Sequence, residues 1–285
     1  MTPTPPAEAP TASANKPDYR RDYIRDLVHQ SGSVTVDQLA AALNVSRMTI
    51  HRDLDQLEHE GVLRKVRGGA AASRSSLYEA DLPYRMTAAV EAKEAIGRAA
   101  AQLLERGQAV VCDESTTTMS AIRSYDPDET VTVITNCFPT MKFVTEQTKH
   151  RLIALGGDYV PRYQAFLGIL CEKTIANLYA DVLLASCSAV IDRQTYHQDQ
   201  QIVAVKRAML GVAPMRVLLL DSTKIGTGAV YSLGLLRDFT HLVTDERAPE
   251  SFLSVAEEEG LRVIVASLTD ATPAASATPS ADGSA

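Results

Sequence analysis

The 285-residue sequence contains no uninterrupted run of the roughly 18 apolar residues that a membrane-spanning helix requires. Its first residues, Met1 to Lys16, are rich in Pro, Ala and Thr. They lack the basic start and apolar stretch of a secretory signal. Only four cysteines occur (Cys112, Cys137, Cys171, Cys187), and no Cys-x-x-Cys pair is among them. A disulfide scaffold and a zinc ribbon are therefore both disfavoured, and the expectation is a cytoplasmic chain with reduced thiols and no metal or other cofactor. No internal repeat of 20–50 residues stands out.

What is present is an ordinary globular composition, 45% hydrophobic and 22% charged. At about 150 residues per domain, the length suggests two domains. The net charge of −7 hides an asymmetry. Residues 1–75 carry ten basic and nine acidic side chains, whereas 76–285 carry eighteen basic and twenty-six acidic. Between Val45 and Ser75 lie six basic residues, Arg47, Arg52, Arg64, Lys65, Arg67 and Arg74, against four acids. An acidic body with a locally basic head suits a protein that meets phosphate at one end; a merely solvated basic face is the plainer alternative.

The chain divides by composition. Residues 1–16 and 269–285 are Ala/Pro/Ser/Thr-rich tails that cannot bury enough apolar surface to order themselves. Residues 17–71 carry helical punctuation, residues 72–84 form a polar linker, and residues 85–268 form a second domain. In the first domain, Tyr23, Ile24, Leu27 and Val28 make one apolar stripe, closed by Ser31-Gly-Ser33. Thr35 is placed to cap a second helix faced by Val36, Leu39, Ala40 and Leu43; Asn44-Val45 then turns the chain. Ser46 is placed to cap a third helix, with Ile50, Leu54 and Leu57 inward, and Gly61 stops it. Val62 to Val66 alternates apolar and basic residues before Gly68-Gly69 permits a sharp turn. Three helices followed by a small hairpin make a winged helix-turn-helix.

With those apolar residues inward, a 100° turn per residue points Met48, His51, Arg52 and Asp55 outward. A recognition helix needs such a face for the major groove. Arg47 and Arg52 have the fork geometry for guanine O6 and N7, or for phosphate. Thr35, Ser46 and Thr49 are candidate phosphate contacts. Arg64, Lys65 and Arg67 on the wing are candidate backbone or minor-groove contacts. The competing reading is a three-helix interaction module that never touches DNA.

Beyond the linker, an Ala-rich helix is expected from Tyr84 to about Arg106. Seven β-branched runs then alternate with helical ones: Ala109–Cys112, Val131–Ile134, Leu152–Leu155, Val182–Ala185, Val217–Leu220, His241–Thr244 and Val263–Val265. That alternation predicts an α/β domain, a parallel sheet with helices on both faces. Ligands of such folds sit at the carboxyl ends of the strands.

The run from Val34 to Ala70 contains Val45-Ser-Arg-Met-Thr-Ile-His-Arg-Asp-Leu54, Leu57-Glu58, Gly61 and Gly68-Gly-Ala70. It resembles the head of the DeoR-type bacterial transcriptional regulators, which carries Arg where this chain has His51. The resemblance continues to about residue 266 through Asp113-Glu-Ser-Thr-Thr-Thr118, Thr135-Asn136, Gly156-Gly157, Val205-Lys-Arg-Ala-Met209, Asp221-Ser-Thr-Lys224 and Val243-Thr-Asp245. It implies a Rossmann-like sensor domain similar to the ribose-5-phosphate isomerase and coenzyme-A transferase folds. It further implies a homo-oligomer that binds double-stranded operator DNA and answers to a small-molecule effector, a phosphorylated sugar.

The implied effector residues are Asp113, Ser115, Thr116, Thr117, Thr118, Asn136, Gly156, Gly157, Lys206 and Lys224, with Arg162 a weaker candidate. Clustered hydroxyls and free N–H groups at a helix start suit phosphate, but simple helix capping accounts for Ser and Thr equally well. Asn136 suits sugar hydroxyls or a cap. Gly156-Gly157 admits a ligand or only turns the chain. Lys224 pairs with phosphate or faces solvent. The sequence departs from its relatives in having Ser115 where they have Gly, and Ala185-Ser-Cys-Ser188 where they have a Gly-x-(Asp or Ser)-Gly segment. Tyr196-His-Gln-Asp199 is also unlike the common pattern.

The expected function is a regulator of carbohydrate-catabolism genes acting as a repressor. An activator, or a regulator whose signal is not a sugar phosphate, remains open. The other class is a sugar-phosphate isomerase fused to a DNA-binding head. It is disfavoured because the loop after the fourth strand offers Cys187 and Ser188, with only Asp192 near, where an isomerase needs a carboxylate base. A Cys187–His197 nucleophile pair is weaker still, since a cysteine in an apolar run is more often packed than reactive.

Overall fold

A computed structural model describes residues 17–31, 33–59, 63–72 and 82–269. The expected tails, Gly61 and most of the expected linker lie outside the described residues. The chain divides into two units, residues 1–79 and 80–285.

The first unit contains α1 (Pro17–Ser31), β1 (Ser33–Thr35), α2 (Val36–Leu43), α3 (Arg47–His59), β2 (Leu63–Val66) and β3 (Gly69–Ala72). Ile24, Val28, Leu39, Leu43, Ile50, Leu54 and Leu57 are all buried, so the three apolar stripes meet in one core. Thr35 and Gln38 form a reciprocal capping box that starts α2. Asn44 ends α2 at φ 50°, a left-handed conformation that its short polar side chain tolerates. The Ser46 hydroxyl accepts from Thr49 N at 3.1 Å and caps α3.

The wing is larger than a two-stranded hairpin. The strand β3 pairs antiparallel with both β2 and β1. Gly69 is required at that crossing, because a Cβ there would lie 2.0 Å from the Val34 carbonyl oxygen. Ala72, expected in the linker, is the last residue of β3.

The second unit begins with α4 (Leu82–Thr87) and α5 (Val90–Ala101), where one long helix was expected. The break lies at Ala88-Ala89, with Ala89 at φ 50°. The Lys93 Nζ secures it from the next turn, donating to the carbonyls of Arg85 and Ala88. Alanine propensity favoured continuity here, and these tertiary hydrogen bonds override it.

There follow β4 (Ala109–Cys112), α6 (Thr116–Ser124), β5 (Thr132–Thr135), α7 (Phe138–Gln147) and β6 (Arg151–Ala154). A hairpin of β7 (Asp158–Val160) and β8 (Ala165–Leu167) leads to α8 (Ile169–Ile175) and β9 (Val182–Ala185). Next come β10 (Ala189–Ile191), β11 (Gln194–His197), α9 (Gln200–Leu210) and β12 (Met215–Leu220). The last elements are β13 (Tyr231–Leu235), β14 (His241–Asp245), α10 (Glu250–Glu258) and β15 (Arg262–Ala266).

All seven expected strands join one parallel sheet in the order β15-β14-β12-β9-β4-β5-β6. Its central strands are buried on both faces, as their continuous apolar runs require. Val111, Leu183 and Leu218 face a core with α8, α9 and α10. Val110, Leu184 and Leu219 face the opposite core with α5, α6 and α7. Two smaller assemblies were not foreseen: the β7–β8 hairpin and an antiparallel sheet of β10, β11 and β13.

Candidate functional site

In the first unit, the face of α3 opposite the core is open. Arg47, Met48, His51, Arg52 and Asp55 are all exposed, with Met48 at 64%. Arg47 pairs with Asp37 at 2.5 Å, both largely exposed. Lys65 pairs with Asp55, while its backbone N–H donates to Glu58 at 2.7 Å. Exposed pairs of this kind contribute little, so phosphate can displace them at small cost. Among the described residues, Arg52, Arg64 and Arg67 make no ion pair, and all three are exposed. The Thr35 hydroxyl is engaged in its capping box, and Ser46 and Thr49 bond each other at 2.9 Å. Beneath this face, Arg20 grips Asp53 through two hydrogen bonds of 2.7 and 3.0 Å, both side chains being buried.

In the second unit, the strand order reverses between β4 and β9, and the loops that follow these strands part there. This is the switch point at which open α/β sheets bind ligands. Asp113 spans the gap. Its Oδ2 accepts from Ser186 N beyond β9 at 2.7 Å, and its Oδ1 from Ser115 N at 2.9 Å. Lys206 of α9 reaches the same carboxylate and also lies 3.0 Å from Glu114 Oε1. Burial alone would push the Asp113 pKa up; the Lys206 ammonium and the Ser186 N–H hold it below the usual range. Burial likewise opposes the Lys206 charge, and the two carboxylates overcome it and raise its pKa.

The Glu114 contact is an ion pair at 3.0 Å. Both Glu114 oxygens are buried without a hydrogen bond. So are Thr117 Oγ1, Asn136 Oδ1, Gln198 Oε1, and Nε and Nη2 of Arg85. Buried polar atoms are nearly always paired, so orphan groups gathered around one crevice mark a site that receives a polar ligand or ordered water.

The expected effector residues divide into two sets. Asp113, Thr117, Asn136, Lys206 and Lys224 stand around the crevice. Lys224 donates to Ser186 Oγ at 3.2 Å and lies 3.4 Å from Asp221. Asn136 donates to the Phe166 carbonyl at 3.1 Å. The other hydroxyls serve the chain: Ser115 caps α6 through Thr118 N at 3.1 Å, Thr118 donates to Asp113, and Thr116 donates to the Arg85 carbonyl at 3.2 Å. Gly157 has a packing reason, since a Cβ there would lie 2.4 Å from the Leu167 carbonyl oxygen; Gly156 faces open space. Arg162 stacks over the Tyr163 ring at 5.7 Å.

Four residues at the crevice were not singled out by sequence: Arg85, Lys93, Glu114 and Asp221. Glu114 lies inside the run Asp113–Thr118, and nothing in that hydroxyl-rich run signals a buried carboxylate. Arg85 and Lys93 sit in an Ala-rich helical stretch, where a basic residue ordinarily faces solvent.

The electrostatics also disfavour the Cys187–His197 pair. Burial pushes the Cys187 thiol up to about 11, away from a reactive thiolate. Burial, then Lys206, Arg85 and Lys224, holds His197 well below its usual pKa. The Asp199 backbone N–H donates to its Nδ1 at 3.2 Å, which leaves Nε2 as the proton-bearing nitrogen. Asp113, locked to Lys206 with a lowered pKa, is a poor general base.

A winged helix-turn-helix with an open basic face, joined to an α/β unit with a polar crevice at its switch point, defines a ligand-responsive DNA-binding transcriptional regulator. The chain belongs to the DeoR family. The DeoR-like helix-turn-helix domain matches residues 20–76, and the DeoR C terminal sensor domain matches residues 88–246. Over 250 residues the chain is 30% identical to the uncharacterized HTH-type transcriptional regulator YgbI of Escherichia coli K12, covering 88% of this chain and 98% of that one. It is 32% identical over 234 residues to the lactose phosphotransferase system repressor of Staphylococcus epidermidis, covering 81% and 92%. Among solved structures, it is similar to the full-length sorbitol operon regulator SorC from Klebsiella pneumoniae, with 14% identity, 85% and 100% coverage and a TM-score of 0.38.

Proposed function

We propose that this regulator is a repressor of carbohydrate-catabolism genes, released from its operator when a phosphorylated sugar binds the crevice of the second unit. The observation that carries this reading is the gathering of orphan buried polar atoms at the switch point. Thr117, Asn136, Glu114 and Gln198 supply neutral and acidic partners for sugar hydroxyls. Arg85, Lys93, Lys206 and Lys224 supply positive charge for phosphate. The kinship with a lactose phosphotransferase system repressor supports a sugar-linked signal.

In this reading the protein acts in the cytoplasm as a homo-oligomer. Paired heads meet two half-sites, so operator symmetry multiplies affinity. The effector lowers operator occupancy to the extent that it prefers the arrangement that does not bind DNA. The test is a fluorescence-anisotropy titration on the intergenic DNA upstream of its own gene, at two salt concentrations, repeated with a panel of pentose and hexose phosphates. Tight, salt-sensitive binding that one sugar phosphate relieves supports the reading. Binding that only unphosphorylated ligands relieve refutes the phosphate component.

A further inference from the structure

We propose that the β7–β8 hairpin and the residues flanking it form the surface on which a second copy of this chain docks. The proposal deepens the homo-oligomer part of the reading above, on which it rests, by naming the interface. Phe138 at the start of α7 and Tyr159 on β7 are both 46% exposed, and their rings meet edge to face at 6.1 Å. The Tyr159 ring also meets that of half-buried Phe166, on β8, at 5.4 Å. Gly168 follows the hairpin, and Ile169 and Leu170 beyond it are 60% and 66% exposed. Exposed apolar residues scattered singly need no explanation. Five large ones gathered on one hairpin and its flanks are the kind of patch that a protein partner covers, and aromatic side chains are enriched at the centres of such interfaces.

The charges around the patch select the occupant. Residues 76–285 carry eighteen basic and twenty-six acidic side chains, so two copies of this unit repel each other over most of their surface. Around the hairpin the signs are balanced. Lys142 lies one turn along α7 from Phe138, and Lys173 one turn along α8 from Ile169. Asp158 opens β7, and Glu172 lies on α8. None of these four makes an ion pair among the described residues, so both signs are available to a facing copy. A two-fold arrangement sets each sign against the other around an apolar centre. DNA would need a surplus of positive charge here, and a strongly acidic or strongly basic partner would leave half of these groups unmet.

The patch is also bonded to the crevice. The Phe166 backbone N–H donates to the Asn136 carbonyl at 2.9 Å, and the Asn136 side-chain amide donates back to the Phe166 carbonyl at 3.1 Å. Asn136 lines the crevice with its Oδ1 unpaired, so a ligand that engages it bears on the strand carrying Phe166. At the turn of the hairpin, the Arg162 carbonyl accepts from Leu82 N at 3.1 Å, at the start of α4. One element thus meets the ligand, the first helix of the unit and the second copy, which links crevice occupancy to the assembly that pairs the heads.

The test is sedimentation velocity on the full chain over a range of concentrations, with circular dichroism to check that each variant is folded. The wild type is expected to sediment as a dimer or a larger assembly. Tyr159→Arg and Leu170→Arg each put a charge at the centre of the interface and are expected to weaken self-association about a hundredfold, the size of an interface hot spot. Leu170→Arg carries the test if the tyrosine variant folds poorly, because its side chain is the more exposed. Val265→Arg, on the edge strand β15 at the far end of the parallel sheet from β6, leaves the assembly intact. Wild-type assembly in the folded hairpin variants, or dissociation by Val265→Arg alone, overturns the surface and spares the homo-oligomer. A wild type that is monomeric at every concentration overturns both. If Leu170→Arg then sediments more slowly still, the patch is covered by another part of the same chain.

Discussion

Lys206 of α9 and Asp113 at the end of β4 form an ion pair with both side chains buried, at 2% and 0% exposure. It joins the two loops that part at the switch point, because Asp113 also accepts from Ser186 N across the gap. Replacing Lys206 with Met strands a buried carboxylate. Such losses cost about 3–5 kcal/mol. The Lys206→Met variant is expected to shift the urea midpoint of the sensor unit strongly downward. Adding Asp113→Asn recovers part of the loss, because the stranded charge is then gone. An unchanged midpoint in the single variant contradicts the pair's role.

The same pair carries a pH dependence. The Asp113 pKa is lowered in the folded chain, so its contribution is present above the unfolded carboxylate range and is lost as pH falls below that range through the lowered folded pKa. Lys93 carries a different one. Burial, then the neighbouring Lys224 charge, lowers it to about 7; Arg85 adds to that, and Asp221 opposes it. The unfolded lysine keeps its proton to about pH 10. Between those values the unfolded state binds more protons, so stability rises with pH. Urea unfolding at about pH 7 and about pH 8.5 is expected to show a larger gain in the wild type than in Lys93→Met. Equal gains contradict the assignment.

Asp53 tests the head from beneath the open face of α3. It is 6% exposed and held by Arg20 at 2.7 and 3.0 Å, so it offers nothing to DNA directly. Asp53→Ala is expected to destabilise the head by about 3–5 kcal/mol, the range for breaking a buried pair. Circular dichroism and operator binding then fail together on warming. Normal operator affinity with an unchanged melting curve refutes the structural role.

How far the sequence could be read follows from the physics of each element. The three head helices were legible because Ile24 and Val28, Leu39 and Leu43, and Ile50, Leu54 and Leu57 each repeat at helical spacing and all end buried. The seven parallel strands were legible because burial on two faces demands continuous apolar runs. The strands β7, β8, β10, β11 and β13 were not, since segments of three to five residues are too short to show a period. The break at Ala88-Ala89 was hidden because it depends on Lys93, four residues further on. Asp113, Asn136 and Lys224 were legible at strand ends. Arg85 was not, since its exposure depends on where α4 docks and its sequence neighbours give no sign of it.

In the proposed function, one end of the chain holds DNA and the other decides when to let go. The most direct test titrates a labelled operator with wild type, Arg52→Ala and Arg85→Gln, each with and without the releasing sugar phosphate. Arg52→Ala is expected to weaken operator binding by about 1–3 kcal/mol, the range for a good base or phosphate contact, while the remaining binding still responds to the ligand. Arg85→Gln is expected to bind the operator as the wild type does and to resist release. Unchanged operator affinity in Arg52→Ala, or normal release in Arg85→Gln, would contradict the division of labour.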